Sequence, residues 1–177
     1  KKKGIEIMTN ANVESLDTSG TGVKAKVKTA SGEVILEADI VLSAVGVSAN
    51  IEGIGLEENG IKTDKGRIVV DKLYQTSVPG IYAIGDCVPG QALAHVASKE
   101  GIICVESIGY TEKKYHHQPE SLDYSNVPGC TYCIPEIASV GLTEKAAKDA
   151  GYDIKVGKFP LSASGKATAA GATEGFV

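Results

Sequence analysis

A short apolar run, Ile81-Tyr82-Ala83-Ile84, ends in Gly85-Asp86, and a helix-like pattern opens a few residues later between Gln91 and His95. Ligands of open α/β sheets bind beyond the carboxyl ends of strands. At such an end Gly85 lets a backbone approach closely, and Asp86 can accept hydrogen bonds from sugar-like hydroxyls. The free N–H groups and positive dipole end of a helix starting near Ala92, Leu93, Ala94 and His95 can hold an electron-rich ligand edge. Together these features predict a site for a polyol joined to an anionic group. The competing reading is that Asp86 only caps a helix or terminates a strand.

Other residues carry chemistry by type but not by placement. His95 and Glu100 are separated like an orienting pair, yet on a helix five residues turn through about 500°, so the side chains point to different sides. Cys130-Thr131-Tyr132-Cys133 has the spacing of zinc and redox sites. Zinc needs two further ligands in a comparable motif, and redox use needs a helix N-terminus, whereas Tyr132 and the local alternation predict a strand. The pair is read as two ordinary thiols. Cys87 has no basic neighbour to make it a thiolate and is read as structural. His116 and His117 with Glu120 lie beside Pro119 in a polar stretch, which predicts a solvated loop rather than a metal site.

The elements that position these residues follow from periodicity. Runs at Ile5 to Val13, Val23 to Lys28 and Val34 to Leu36, separated by Ser-Gly turns, predict an antiparallel meander. Asp39 to Val45 is nearly continuous in apolar residues and ends at Gly46, the pattern of a parallel strand buried on both faces. A mixed, Gly-rich segment then holds one more strand at Arg67 to Val70. After the strand Ile81 to Ile84, a helix is predicted from about Ala92 to Ile108, and the polar stretch Thr111 to Ser125 reads as a linker. Beyond it, strands at Thr131 to Cys133 and Ile137 to Val140 precede a helix from Glu144 to Ala150. Thr143 serves as its N-cap and Gly151 as its stop, and a further strand follows at Ile154 to Phe159.

Composition bounds the function class. The 177 residues, 42% hydrophobic, can bury roughly 70% of their unfolded surface in a compact body. The 21 glycines exceed the ~7% typical share, so many backbone positions turn tightly or meet a neighbour closely. A net charge of −4 gives no basic footprint for nucleic acid, and the run Lys1, Lys2, Lys3 reads as the solvated end of a helix. Neither a membrane span nor a secretory signal is read, and four scattered cysteines suit a reducing, cytoplasmic compartment.

The segment Thr76 to Asp86 resembles the second flavin-binding signature of the pyridine nucleotide-disulfide oxidoreductases, and the resemblance runs across essentially the whole chain. Val41-Leu42-Ser43-Ala44-Val45-Gly46 is similar to the end of their NAD domain. Pro89 to His95 with Glu100-Gly101 resembles the dihydrolipoyl dehydrogenases rather than the glutathione reductases. Tyr132, Pro135-Glu136, Ser139-Val140-Gly141 and Val156 to Pro160 resemble the opening of the dimerisation domain. The fold class implied is α/β, a fragment of FAD/NAD(P)-binding Rossmann-like domains followed by part of an α+β dimerisation domain. Its expected divisions are 1–50 (end of an NAD-binding domain), 51–117 (second part of an FAD-binding domain) and 118–177 (an incomplete interface domain).

The resemblance also implies roles. Asp86 is expected to bond the ribitol of FAD, backbone groups of Ala92, Leu93, Ala94 and His95 to face the flavin pyrimidine edge, and Gly46 to lie against NAD. Implied partners are a second copy, giving a homodimer, and a lipoyl-bearing protein of a 2-oxo acid dehydrogenase or glycine-cleavage complex. No nucleic acid or membrane partner is expected. The family's cysteine pair and acid-base His-Glu unit match nothing in this sequence, so no catalytic residue is expected within it and the chain by itself is expected to be inactive. Both ends read as cut from a longer protein. Another flavoprotein disulfide reductase, or a non-enzymatic dimerisation module, is the alternative.

Overall fold

The computed structural model describes residues 4–177, so the Lys1, Lys2, Lys3 run lies outside the described residues. The chain forms two compact units, Lys1–Val47 and Ser48–Val177.

In the first unit β1 (Asn12–Asp17), β2 (Val23–Thr29) and β3 (Gly32–Ala38) form an antiparallel meander in the order β1-β2-β3. Alternation along β2 explains the sheet. Ala25 and Val27 are buried on one face, while Lys26 on the other pairs with Glu33 at 3.0 Å and Glu14 at 3.5 Å. The β2–β3 turn is closed by Thr29 Oγ1 donating to the Gly32 carbonyl at 2.8 Å.

Two expectations fail in this unit. The first strand lies over Asn12–Asp17 rather than Ile5 to Val13, because Asn12 already opposes Lys28 near the end of β2 and Asn10 leaves the extended path at φ 53°. The run 39–45 is not a strand. No described segment pairs with it, and Ile40, Leu42 and Val45 are at least 84% exposed. A strand of this composition is stable only when neighbours cover it on both faces.

The second unit opens with the hairpin β4 (Thr63–Asp64) and β5 (Arg67–Ile68), whose turn residues Lys65 and Gly66 both take positive φ. The expected strand Arg67 to Val70 continues only as a bridge from Val70 to Thr76, and the expected strand Ile81 to Ile84 reduces to a bridge from Tyr82 to Gln75. Between them the Asp71 carboxylate accepts from the Leu73 and Gln75 amides at 2.8 and 2.9 Å, and this local turn replaces a longer ladder.

Helix α1 (Ala94–Thr111) buries Val96, Glu100, Ile103, Cys104 and Ser107 along one stripe. Ile103 and Cys104 pack with Tyr74, while Ile61, Ile68 and Val88 form a second cluster. The linker is irregular until a 3-10 turn at Tyr124–Asn126, capped by Asp123 accepting from the Ser125 amide. Beyond it β6 (Gly129–Thr131) and β7 (Ile137–Ser139) pair antiparallel. Helix α2 (Glu144–Asp149) has the expected cap, Thr143 Oγ1 accepting from the Ala146 amide at 3.1 Å, and stops before Gly151 at φ 81°. Helix α3 (Gly165–Ala169) follows.

The expected strand Ile154 to Phe159 does not form as such. Instead Phe159 exchanges backbone hydrogen bonds of 2.7 and 2.9 Å with Val177, and the Leu161 amide donates to the Gly175 carbonyl at 3.0 Å. No helix among the described residues is long and apolar enough to cross a membrane.

Candidate functional site

Gly85, Asp86 and Cys87 form a single 3-10 turn separated by six residues from the start of α1. Gly85 takes φ +75°, and a Cβ there would stand 3.3 Å from the Ala97 Cβ on α1. Both its conformation and its clearance call for glycine. Gly101, one helical turn on, does the same for Ile84, whose Cδ1 would meet an added Cβ at 3.3 Å. Small residues on one face of α1 thus let the turn press against the helix.

Hydrogen bonds hold the turn from two sides. The Gly85 amide donates to Glu100 Oε2 at 2.6 Å, and Arg67 Nη1 donates to the carbonyls of Asp86 at 2.6 Å and Val88 at 3.0 Å. Glu100 is 1% exposed, and its other oxygen, Oε1, accepts from the Tyr124 hydroxyl at 2.5 Å. With the Tyr124 proton committed to Glu100, the Tyr74 hydroxyl is the donor in the 3.3 Å contact between the two tyrosines. Burial pushes the Tyr124 hydroxyl well above the ordinary tyrosine range, and the bond to Glu100 adds to it. Burial also raises Tyr74, against the opposing effect of its bond to Tyr124. Sequence reasoning missed this network. Its signal was present in the spacing Val96, Glu100, Ile103, Ser107, which puts a glutamate inside an otherwise core-facing stripe.

Within this frame the Asp86 side chain is exposed, and none of the hydrogen bonds or ion pairs among the described residues uses its carboxylate. The 3-10 turn has no side-chain cap, so Asp86 is not serving as one. Leu93 is the N-cap of α1, one to two residues later than the sequence pattern places the helix start, and no side chain caps it. Its own amide donates to the Gln91 carbonyl at 2.9 Å, which leaves the Ala94 and His95 amides as the free, exposed donors of the first turn. Ala92 is exposed just ahead of them.

The decoys separate cleanly. His95 Nε2 donates to the Pro128 carbonyl at 2.9 Å, while Glu100 faces the interior, so the two side chains share no bond. Cys130 lies on β6, but Cys133 sits in the following bend and donates to the Pro135 carbonyl at 2.9 Å, which corrects the placement of both on one strand. Cys87 is half-buried and donates to the Ile84 carbonyl at 3.2 Å. His116 and His117 are exposed in the irregular stretch after α1. In the first unit, Gly46 takes φ +124° with open space where a Cβ would stand.

A family profile described as pyridine nucleotide-disulphide oxidoreductase matches residues 1–101, and that family's dimerisation-domain profile matches residues 127–177. The chain belongs to the pyridine nucleotide-disulphide oxidoreductase family. Within it, the chain is 46% identical over its whole length to dihydrolipoyl dehydrogenases of Rhizobium etli and Zymomonas mobilis, and 43% identical to the leghemoglobin reductase of Glycine max. It spans 36% and 37% of the length of the two bacterial enzymes and 33% of the plant one. Among solved structures, it resembles LpdA from Mycobacterium tuberculosis with a TM-score of 0.81 at 26% identity. That match covers 99% of this chain and 36% of the other. The flavoprotein disulfide reductase RclA from Escherichia coli matches with a TM-score of 0.83 at 26% identity, covering 99% of this chain and 38% of RclA.

Proposed function

We propose that this chain is part of an FAD-dependent dihydrolipoyl dehydrogenase, and that the turn Gly85-Asp86 and the start of α1 are its share of the flavin site. The observation that carries this reading is the Asp86 carboxylate, left outward and unbonded on a turn whose backbone is anchored by Arg67 and Glu100. A carboxylate on a fixed mount suits a polyhydroxy chain such as ribitol, because hydroxyl protons point at acceptors that need no reorganisation. The free amides of Ala94 and His95, beside Ala92 and Leu93, suit the electron-rich edge of a flavin ring at a helix N-terminus. Gly46, with its positive φ and open surroundings, suits the close approach of NAD.

When bound, FAD and NAD supply the electron and hydride transfer from a dithiol substrate. The residues of this chain bind and orient them; a redox cysteine pair and an acid-base histidine come from the rest of the protein. In that protein the parts 1–50, 51–117 and 118–177 belong to NAD-binding, FAD-binding and interface domains. A homodimer and a lipoyl-bearing protein of a 2-oxo acid dehydrogenase or glycine-cleavage complex are its partners. Four unpaired cysteines agree with a reducing compartment such as the cytoplasm.

The test is Asp86→Ala in the full-length protein. Loss of a charge-assisted hydrogen bond of about 1.5–3 kcal/mol weakens FAD by about tenfold to over a hundredfold. An Asp86→Ala enzyme that keeps its flavin through extensive dialysis as well as wild type overturns the assignment.

A further inference from the structure

We propose that Glu100 is a positioning residue for the flavin-side turn and acts through Asp86. Its buried carboxylate, gripped by the Tyr124 hydroxyl, clamps the Gly85 amide and so aims the neighbouring Asp86 side chain. This rests on reading Gly85-Asp86 as a flavin-binding turn.

Glu100 occupies a place in the α1 stripe that an apolar side chain could fill. Burying a carboxylate is costly unless it is fully hydrogen-bonded, and the ion pairs among the described residues give it no cation. Both of its oxygens accept, one from each of two elements remote in sequence: Gly85 lies 15 residues before it and Tyr124 lies 24 after. The group therefore joins three segments that packing alone would leave free to slide. A leucine there could fill the volume but could not fix the direction of an amide.

The direction matters because of what comes next in the chain. Gly85 is the one residue of the turn at positive φ, so its amide can point into α1 while Asp86 turns outward. The Glu100 bond fixes the backbone just before Asp86, and the Arg67 bonds fix it just after. With both flanks held, the Asp86 side chain has only its own rotamers left to search. Tyr124 in turn is seated by Tyr74 and by Gly90, where an added Cβ would stand 3.0 Å from the Tyr124 ring. The linker end thus helps to set the turn.

The prediction separates positioning from plain structural support by a double-mutant cycle on full-length holoenzyme, read as FAD dissociation by flavin fluorescence. Glu100→Ala removes both acceptors. Glu100→Gln keeps a carbonyl oxygen for the Gly85 amide and can donate its NH2 to the Tyr124 oxygen. With Asp86 present, Glu100→Ala should weaken FAD about tenfold, and Glu100→Gln should return it to within about threefold of wild type. Added to Asp86→Ala, Glu100→Ala should cost less than about twofold more, since the group it aims is gone. Equal losses in the two backgrounds, or a Glu100→Ala protein that binds FAD like wild type, overturn the proposal. Should Glu100→Ala fail to fold, Glu100→Leu, which fills the volume but offers the Gly85 amide no acceptor, carries the same comparison in the same two backgrounds, with the same outcomes deciding. If Asp86→Ala alone leaves FAD binding unchanged, the flavin-site reading fails and takes this inference with it. If Asp86→Ala weakens FAD while the Glu100 effect is additive, only this inference falls.

Discussion

Arg67 Nη1 donates to the carbonyl oxygen of Asp86 at 2.6 Å, so the residue whose side chain is left outward is tied down by its own backbone. The same nitrogen reaches the Val88 carbonyl at 3.0 Å, and Val88 is 1% exposed within the cluster of Ile61 and Ile68. One guanidinium thus connects the β4–β5 hairpin to the turn. Arg67→Ala should destabilise the protein by about 1–3 kcal/mol, because a buried acceptor loses its charged donor. Arg67→Lys should recover only part of this, since an ammonium can donate to the same two carbonyls but lacks the rigid guanidinium plane that fixes the direction of Nη1. Urea unfolding measures both, and equal stability of wild type and Arg67→Ala would show that the contact contributes nothing.

Gly90 should not tolerate a side chain. It sits at φ +144°, and an added Cβ would stand 3.0 Å from Tyr124 Cε1. Gly90→Ala should cost about 1–3 kcal/mol from backbone strain and displacement of the ring together. Pairing it with Tyr124→Ala, which removes the ring, in a double-mutant cycle should show coupling. Strict additivity would mean that the ring is not what the new methyl meets.

At the start of α2, Thr143→Ala should lose about 1 kcal/mol, the worth of a side-chain cap to a short helix. Thr143→Ser or Thr143→Asp should restore it. Denaturant midpoints of the three variants check this, and an alanine variant as stable as the serine one contradicts it.

Stability should fall at alkaline pH in a way that Tyr124 controls. Burial first, and its bond to Glu100 second, raise this hydroxyl in the folded state above its unfolded value of about 10. The contribution is therefore complete below pH about 10 and is lost as pH rises beyond it, since the unfolded chain can release a proton that the folded one holds. Tyr124→Phe should flatten the alkaline slope of unfolding free energy between pH about 9 and 11. An unchanged slope would place the titrating group elsewhere; Tyr74, raised in the same direction, is then the one to replace.

How much of this could be read from the sequence depended on whether a residue's partner was near it in the chain. The α2 helix was legible with both ends because Thr143 caps an amide three residues on and Gly151 stops the last turn, both local signals. The meander was legible because β2 alternates and its turns are Gly-rich, although Asn10 moved the first strand to Asn12–Asp17. The start of α1 was misplaced by one or two residues, since the sequence pattern around Ala92, Leu93 and Ala94 has no capping side chain to mark it. The turn that carries Asp86 was legible as a motif. Its anchoring was not, because Glu100, Tyr124 and Arg67 reach it from 14, 38 and 19 positions away, and no periodicity encodes such contacts. The run 39–45 went wrong for a related reason: its apolar residues describe a place in a sheet, and a sheet is a property of neighbours.

That same run has a practical consequence. Its amides have no backbone partner among the described residues, and Ile40, Leu42 and Val45 face outward, so its hydrogens should exchange with solvent at close to unprotected rates while those of α1 are retained. An exposed apolar segment with unpaired backbone groups can also pair with a strand of another molecule. Material consisting of these 177 residues alone should therefore self-associate as its concentration rises, with residues 39–45 as the seed, and a lysine in place of Leu42 should keep it dispersed.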